Sequence, residues 1–248
     1  MRIATSVEDT RGAERLRYSV FVEELGGNGG EVDHEGRFER DRFDAFADQL
    51  VLIDPGVDPQ SYNHVIGVYR LLRAPQACAA GGFYSEAEYD LTPLKSSGRT
   101  LLELGRSCVD ARHRGGAAMF HLWQGVAEYV LKHEIEVLFG VASFHGTDVA
   151  ALAQPLSHLH HSHLAPPDLR PRAKVHQPMD VVPPEHVKRP AAMKATPALI
   201  KAYLRLGGMV GDGAFVDHDF NTVDVCLVVD TEKMSAKHRD IYAKGQRS

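Results

Sequence analysis

The densest chemical signal in the sequence is Leu102-Glu103-Leu104-Gly105-Arg106-Ser107-Cys108-Val109, followed by Arg112-His113-Arg114-Gly115-Gly116-Ala117. Leucines flank Glu103 as they would on a strand, so its carboxylate points away from the face of Leu102 and Leu104. A bulge at Gly105 would bring Arg106 to the side of Glu103, since strand glycines often mark bulges. The pair reads either as a structural ion pair or as a proton-accepting carboxylate beside an arginine that orients an anion. The second segment, Arg112-x-x-Gly115-x-Ala117, heads an amphipathic pattern. Glycine lets backbone approach a phosphate, and helix N-terminal N–H groups face it. Gly115-Gly116 is equally a plain turn. Cys108 would suit covalent chemistry, but Ser107 and Val109 supply no base and strand cysteines are usually inert.

These residues need elements to position them. Val7 to Leu25 reads as a first helix, with Arg17 on its apolar face, where it calls for a carboxylate partner. Strands are expected at 50–53, 65–72 and 101–109. The clearest helix runs from about Gly116 to His133, where Met119, Leu122, Trp123, Val126, Ala127, Val130 and Leu131 follow one stripe. Val137–Phe144 follows as a strand, and a short helix near Thr147–Ala153 comes next. Nine of the thirteen prolines and six of the fourteen histidines fall within 155–197, which reads as one long irregular insertion. A helix at 199–206, strands near 209–216 and 223–229, and a charged C-terminal tail complete the chain. The order implies a mixed α/β sheet in a single domain over 1–248. No strand leads into Gly-x-Gly-x-x-Gly, so a Rossmann fold is not indicated.

Composition narrows the class. With 248 residues, 44% hydrophobic and 25% charged, the chain can bury a core without disulfide staples. Lys+Arg 28 against Asp+Glu 33 gives a net charge of −5, which speaks against a nucleic-acid partner. Three cysteines fit a reducing compartment. The N-terminal stretch has no apolar core of signal-peptide length, and no run approaches the ~20 residues of a membrane span. A cytoplasmic protein is expected, peripheral to the inner membrane face at most. Four histidines at 158, 160, 161 and 163 suggest metal, but no Cys or carboxylate lies among them, so no metal site is expected.

Strand, basic glycine turn and amphipathic helix in that order resemble the acyl-carrier cradle of the GNAT acyltransferase superfamily. Further pieces narrow the resemblance: Arg17-Tyr18-x-Val20-Phe21-x-Glu23-Glu24-Leu25-Gly26, Asp41-x-Phe43-Asp44, Gly67-Val68-Tyr69-Arg70, Gly82-Phe83-Tyr84-Ser85-Glu86, Glu103-Leu104-Gly105-Arg106, Leu122-Trp123-Gln124-Gly125, Gly140-x-Ala142-Ser143-Phe144, Tyr203-Leu204-Arg205-Leu206-Gly207 and Asp224-Val225. In this order they resemble the L-ornithine N-alpha-acyltransferase family of ornithine-lipid biosynthesis, GNAT-like relatives of the acyl-homoserine lactone synthases. The sequence departs from that pattern mainly in the 155–197 insertion.

The resemblance implies a GNAT-like fold and transfer of a 3-hydroxyacyl group from acyl carrier protein to the α-amine of an amino acid, ornithine first among candidates. No resident cofactor is expected, because phosphopantetheine arrives on the carrier. Glu103 is the candidate base, with Arg106 beside it. Arg17 and Arg70 are candidates for the substrate carboxylate, and Asp41 and Asp44 for a distal ammonium. The two aspartates could instead cap a turn or pair with Arg40 and Arg42. Phe21 and Phe83 join the substrate-binding set; Phe83 and Trp123 could line an acyl tunnel, or Trp123 could be core. Arg112, Arg114, Gly115 and Gly116 would meet the acidic carrier and its arm, a basic face that 170–174 and 188–189 could extend. Alternatives are an acyl-homoserine lactone synthase, a glutamine- or lysine-lipid acyltransferase, and a non-catalytic carrier-binding module.

Overall fold

The computed structural model describes residues 1–27 and 31–233; the charged C-terminal tail read from the sequence lies outside the described residues. The described residues divide into two compact units, 1–82 with 103–134, and 83–102 with 135–233.

In the first unit, β1 (Arg2–Ile3) leads into α1 (Val7–Arg17). Ser6 caps α1 by accepting from Asp9 N at 3.1 Å. Glu8 and Asp9 occupy its first turn and Arg15 and Arg17 its last, matching the helix dipole. The helix does not run on in α form to Leu25: Tyr18–Glu24 widens into a π-helix. The segment Tyr-Ser-Val-Phe-Val is poor in strong helix formers, so it holds the regular turn weakly. β2 (Glu31–Asp33) and β3 (Phe38–Arg40) form a small antiparallel pair. β4 (Asp48–Ile53), β5 (Val65–Arg73) and β7 (Leu101–Val109) are neighbours in the order β1-β4-β5-β7, and α2 (Ala74–Ala79) follows β5. β4 is antiparallel to both β1 and β5. Helix α4 (Ala118–Lys132) packs on β4 and β5. Its buried side is Ala118, Leu122, Gly125, Val126, Ala127 and Tyr129. Trp123 is half-buried and Leu131 is exposed, so the apolar stripe is wider than the face that packs.

The second unit holds β6 (Tyr89–Asp90), α3 (Thr92–Ser96), β8 (Val137–His145), α5 (Ala153–His163), β9 (Arg172–Ala173), α6 (Arg189–Ala195), α7 (Ala198–Arg205), β10 (Met209–Val210), β11 (Phe215–Asp217) and β12 (Thr222–Asp230). β12 pairs antiparallel with β8 along its whole length, from Thr222 opposite His145 to Asp230 opposite Val137. Tyr89 ties the unit together from inside, its hydroxyl donating to Gly213 O at 3.1 Å and Asp224 O at 2.9 Å.

The 155–197 insertion is more ordered than its prolines suggest. Pro155 is the third residue of α5, where the missing N–H has no intrahelical acceptor to lose. The four histidines therefore stand on a helix, not a loop. The segment beyond is fastened to α5: Ser157 Oγ donates to Met179 O and accepts from Val182 N, both at 2.9 Å, and Gln154 Oε1 accepts from Lys188 N at 2.7 Å. Burial above all holds His158 and His163 below the usual imidazole range, with nearby Arg189 acting in the same direction.

The contact of α4 with the sheet is testable at Gly67 in β5. A Cβ there would come within 2.9 Å of Leu122 Cδ1, and Leu122 is fully buried. Gly67→Ala should therefore cost roughly 1–3 kcal/mol by overpacking, read as a lower urea midpoint. An unchanged midpoint would mean that α4 does not pack as described.

Candidate active site

A closed ring of six buried or nearly buried charges lies in the first unit. Arg17, at the end of α1, donates from Nε to Glu39 Oε2 at 2.5 Å and from Nη1 and Nη2 to Asp44 at 2.6 and 2.9 Å. Arg70, on β5, reaches Asp41 Oδ1 at 2.6 Å and Asp44 Oδ1 at 3.4 Å. Arg106, on β7, reaches Glu39 Oε1 and Asp41 Oδ2, each at 3.1 Å. Each arginine thus bridges two carboxylates and each carboxylate two arginines. The sequence reading brought Arg17, Asp41, Asp44, Arg70 and Arg106 forward singly, and the structure brings them together. Asp41 and Asp44 pair with these arginines, not with Arg40 or Arg42. They also form a reciprocal cap: Asp41 accepts from Phe43 N, and Asp44 accepts from Asp41 N, both at 2.8 Å. Gln49 Nε2 adds a further bond to Asp44 at 2.8 Å. Both carboxylates are engaged internally, so a distal ammonium would have to displace a partner.

Glu39 is the member that sequence reasoning missed. The signal was present: Glu39 on β3 and Asp41, still extended just beyond its end, lie two residues apart and so face the same way. That register is what lets both grip one guanidinium, that of Arg106. Phe43 supports the ring from another side, with the Arg70 guanidinium 5.5 Å from its ring centroid.

The electrostatics follow from burial and pairing together. Burial works to lower the Arg17 pKa, but Glu39 and Asp44 more than reverse it, so the group is held above its ordinary value. Burial likewise pushes Asp44 up, and the attraction and hydrogen bonds of Arg17, with Arg70 and Asp41 N, bring it well below the usual carboxylate range.

Glu103 is only 3% exposed, two residues along β7 from Gly105. The expected irregularity in this strand is real but falls one residue later. Arg106, not Gly105, takes a positive φ of 50°, a conformation that costs a non-glycine residue about 1–3 kcal/mol. Its two carboxylate partners hold it there. Gly105 lies beneath Arg70, where a Cβ would stand 3.7 Å from Nε. Cys108 is buried, and burial pushes its thiol up to about 12, so no nucleophilic thiolate forms near neutrality.

At the far end of β7, Arg112 folds back on Asp110 with Nε at 3.0 Å and Nη2 at 2.8 Å. Arg114 pairs with Glu24 and donates from Nε to Val109 O at 2.9 Å. The basic face expected here is therefore locally neutralised. Gly115 has φ +77°, and no side chain caps the first turn of α4, which leaves those N–H groups without side-chain acceptors. Phe21 packs against the cluster of Ala13, Leu16, Val20, Val51, Val65, Val68 and Cys108. Phe83 belongs to the second unit and stands edge-on to Phe139 at 5.0 Å. A second feature missed from sequence is also there: Glu88, Asp217 and Asp224 bring carboxylate oxygens within 4.8 Å of one another. None of the four α5 histidines joins a metal-competent group of three among the described residues.

Residues 16–124, which include the ring and β7, match the family model described as Acetyltransferase (GNAT) domain. An L-ornithine N(alpha)-acyltransferase of Rhodobacter capsulatus is 61% identical over 98% of this chain and 94% of its own length. The chain belongs to the L-ornithine N(alpha)-acyltransferase family. A second member, from Brucella abortus, is 41% identical over 98% of this chain and 88% of its own. The fold agrees with an N-acyl amino acid synthase from uncultured soil microbes, at TM-score 0.54 and 13% identity over 96% of each chain. A CoA-dependent acyl-homoserine lactone synthase solved with SAM and isopentyl-CoA gives TM-score 0.52 and 14% identity over 96% of this chain and 82% of its own. The protein is thus an acyltransferase of GNAT-like α/β fold. No helix among the described residues is long and apolar enough to cross a membrane.

The ring makes a pH prediction. Asp44 is depressed in the folded state, so its contribution is full above its ordinary value near ~4 and is lost as pH falls toward the depressed one. Asp44→Asn leaves buried Arg17 short of charge and should cost about 3–5 kcal/mol at neutral pH. The gap in urea midpoint between wild type and Asp44→Asn should hold constant from about pH 5 to 8 and narrow below about pH 4. A gap that does not change with pH would mean that Asp44 is not held ionised by the ring.

Proposed function

We propose that this acyltransferase moves a 3-hydroxyacyl group from acyl carrier protein to the α-amine of ornithine, yielding a lyso-ornithine lipid. The observation that carries this reading is the 61% identity, over nearly the whole of both chains, to a protein named L-ornithine N(alpha)-acyltransferase. The carrier as donor and the hydroxylated acyl group are our own extension; the first is supported by the uncapped, glycine-led start of α4, the second only by the family resemblance. There Gly115 and Gly116 would admit the phosphopantetheine arm and Arg112 and Arg114 would meet the acidic carrier. No resident cofactor takes part in this scheme. The enzyme would work in the cytoplasm, at most peripherally against the membrane that receives its product.

The α-ammonium of the acceptor must lose a proton before it can attack. Glu103 takes that proton, directly or through water. The freed nitrogen then adds to the thioester carbonyl; the C–N bond forms, the C–S bond breaks, and the nitrogen's second proton passes to the departing thiolate, while Glu103 returns the first to solvent. Negative charge gathers on the carbonyl oxygen in between. The backbone at Gly105–Arg106, turned out of regular strand geometry by the positive φ of Arg106, is where an N–H could meet it. Arg17 and Arg70 hold that frame; both are buried and engaged with ring carboxylates, so a substrate carboxylate would have to displace one of those partners. Phe21 is an apolar side chain of the first unit for the substrate's hydrocarbon.

The test is thiol release from 3-hydroxyacyl carrier protein with and without ornithine, followed by mass spectrometry of the product. Wild type should release thiol only with an acceptor and should form N-acylornithine. Glu103→Gln should keep its thermal melt and lose at least ~100-fold in turnover. Acceptor-independent release, or a product built on glutamine or S-adenosylmethionine in preference to ornithine, would overturn the reading. Near-normal turnover in Glu103→Gln would remove Glu103 from the proton path.

A further inference from the structure

A cavity of the first unit has no part in the scheme above, apart from Arg112 at its edge. It is a half-open pocket of about 90 Å³, and Arg15, Arg37, Arg112, Tyr62, Asn63 and Ser19 are among the residues that line it. The three arginines come from three separate segments: Arg15 from α1, Arg37 from the turn before β3, and Arg112 from the turn after β7.

Their charges are not equally answered. Arg112 is paired with Asp110, which lines the same cavity. Arg37 donates from Nη2 to both oxygens of Glu23, at 2.6 and 2.7 Å. Half-buried Arg15 differs: it donates from Nε to Asn63 Oδ1 at 3.1 Å and from Nη1 to Gly36 O at 3.2 Å, both neutral acceptors. Among the described residues it forms no ion pair. Its guanidinium stands 5.9 Å from the Phe38 ring centroid, a contact that attracts a cation without neutralising it. Arg15 is therefore a fixed positive charge, held in place by neutral groups, on the wall of a cavity. The Arg15 guanidinium feels a carboxylate only through space, that of Glu23, which Arg37 holds, so an anion in the cavity would be its first direct charged partner. Two other lining residues, Arg37 at φ 58° and Tyr62 at φ 57°, hold left-handed backbone, the kind of strain found around ligand sites.

Arg15 would be the anchor, and Arg37 and Arg112, each bound to a carboxylate through part of its guanidinium, would add N–H donors from two further directions; donors so spread suit a tetrahedral oxyanion better than a planar carboxylate, which one arginine can grip alone. Tyr62, Asn63 and Ser19 add neutral polar groups. We propose that this cavity is a receptor for a phosphate group, carried by a free phosphate or by an anionic lipid headgroup. The proposal does not depend on which acceptor or donor the enzyme uses.

The test uses the full chain and inorganic phosphate, titrated calorimetrically at constant ionic strength set with chloride. Saturable binding is expected, weakened at least ~10-fold in Arg15→Gln and also weakened in Arg37→Gln, each with an unchanged circular dichroism spectrum; a tenfold change corresponds to the loss of one good charge-assisted contact. Arg37 is on the open side of the cavity, so its variant decides the matter if Arg15→Gln fails to fold. A second arm sediments the protein with phosphatidylcholine vesicles with and without phosphatidic acid. Acid-dependent sedimentation that phosphate competes away and Arg37→Gln abolishes assigns the headgroup source; phosphate binding without sedimentation assigns the free ion. Absence of both, or phosphate affinity equal in wild type and Arg37→Gln, overturns the proposal.

Discussion

Three guanidiniums and three carboxylates, alternating in a closed ring, are the constraint on which the first unit depends. Burying any one of these charges alone would be prohibitive, and burying them together is tolerable only if every member has its partners. Such a ring is not a strong source of net stability, since desolvation offsets much of the attraction. Its consequence is geometric. Arg17 ends α1, Glu39 sits on β3, Asp41 and Asp44 frame the next turn, Arg70 is on β5 and Arg106 on β7. Shifting any of these segments breaks at least two pairs at once. Four stretches distant in sequence are thereby held in one register.

The ring ends where the chemistry begins. Arg106 is both a member of the ring and the residue whose left-handed backbone interrupts β7, a few positions from Glu103. Ion pairs to Glu39 and Asp41 offset the strain at that position and hold the local backbone out of strand geometry. Charge buried for no evident gain in stability then has a use: it preorganises the strand that carries the candidate base.

Much of this was legible in the sequence. The bounds of β7 are legible because leucines flank Glu103 and Val109 closes the apolar run, and Arg17 on an apolar helix face correctly called for a carboxylate. What was not legible was partner choice. Asp41 and Asp44 have arginines next to them in sequence, yet pair with arginines from other elements, because tertiary packing and not adjacency decides which charges are desolvated together. Glu39 was missed because its one signal, the two-residue spacing to Asp41, is too short to stand out as a pattern. The prolines of 155–197 misled in the other direction. Pro155 reads as a breaker, but in the first turn of a helix it removes only an N–H that has no partner there.

Glu39 and Arg106 act as one unit in holding β7. The most direct measurement is a double-mutant cycle on kcat/KM with Glu39→Gln, Arg106→Gln and the pair, each variant checked for folding by its urea midpoint. Both single changes should lower kcat/KM at least ~10-fold, and the double variant should be no worse than the worse single one, because the second change removes an interaction already lost. If the two losses multiply, Glu39 and Arg106 act independently and the ring does not position β7.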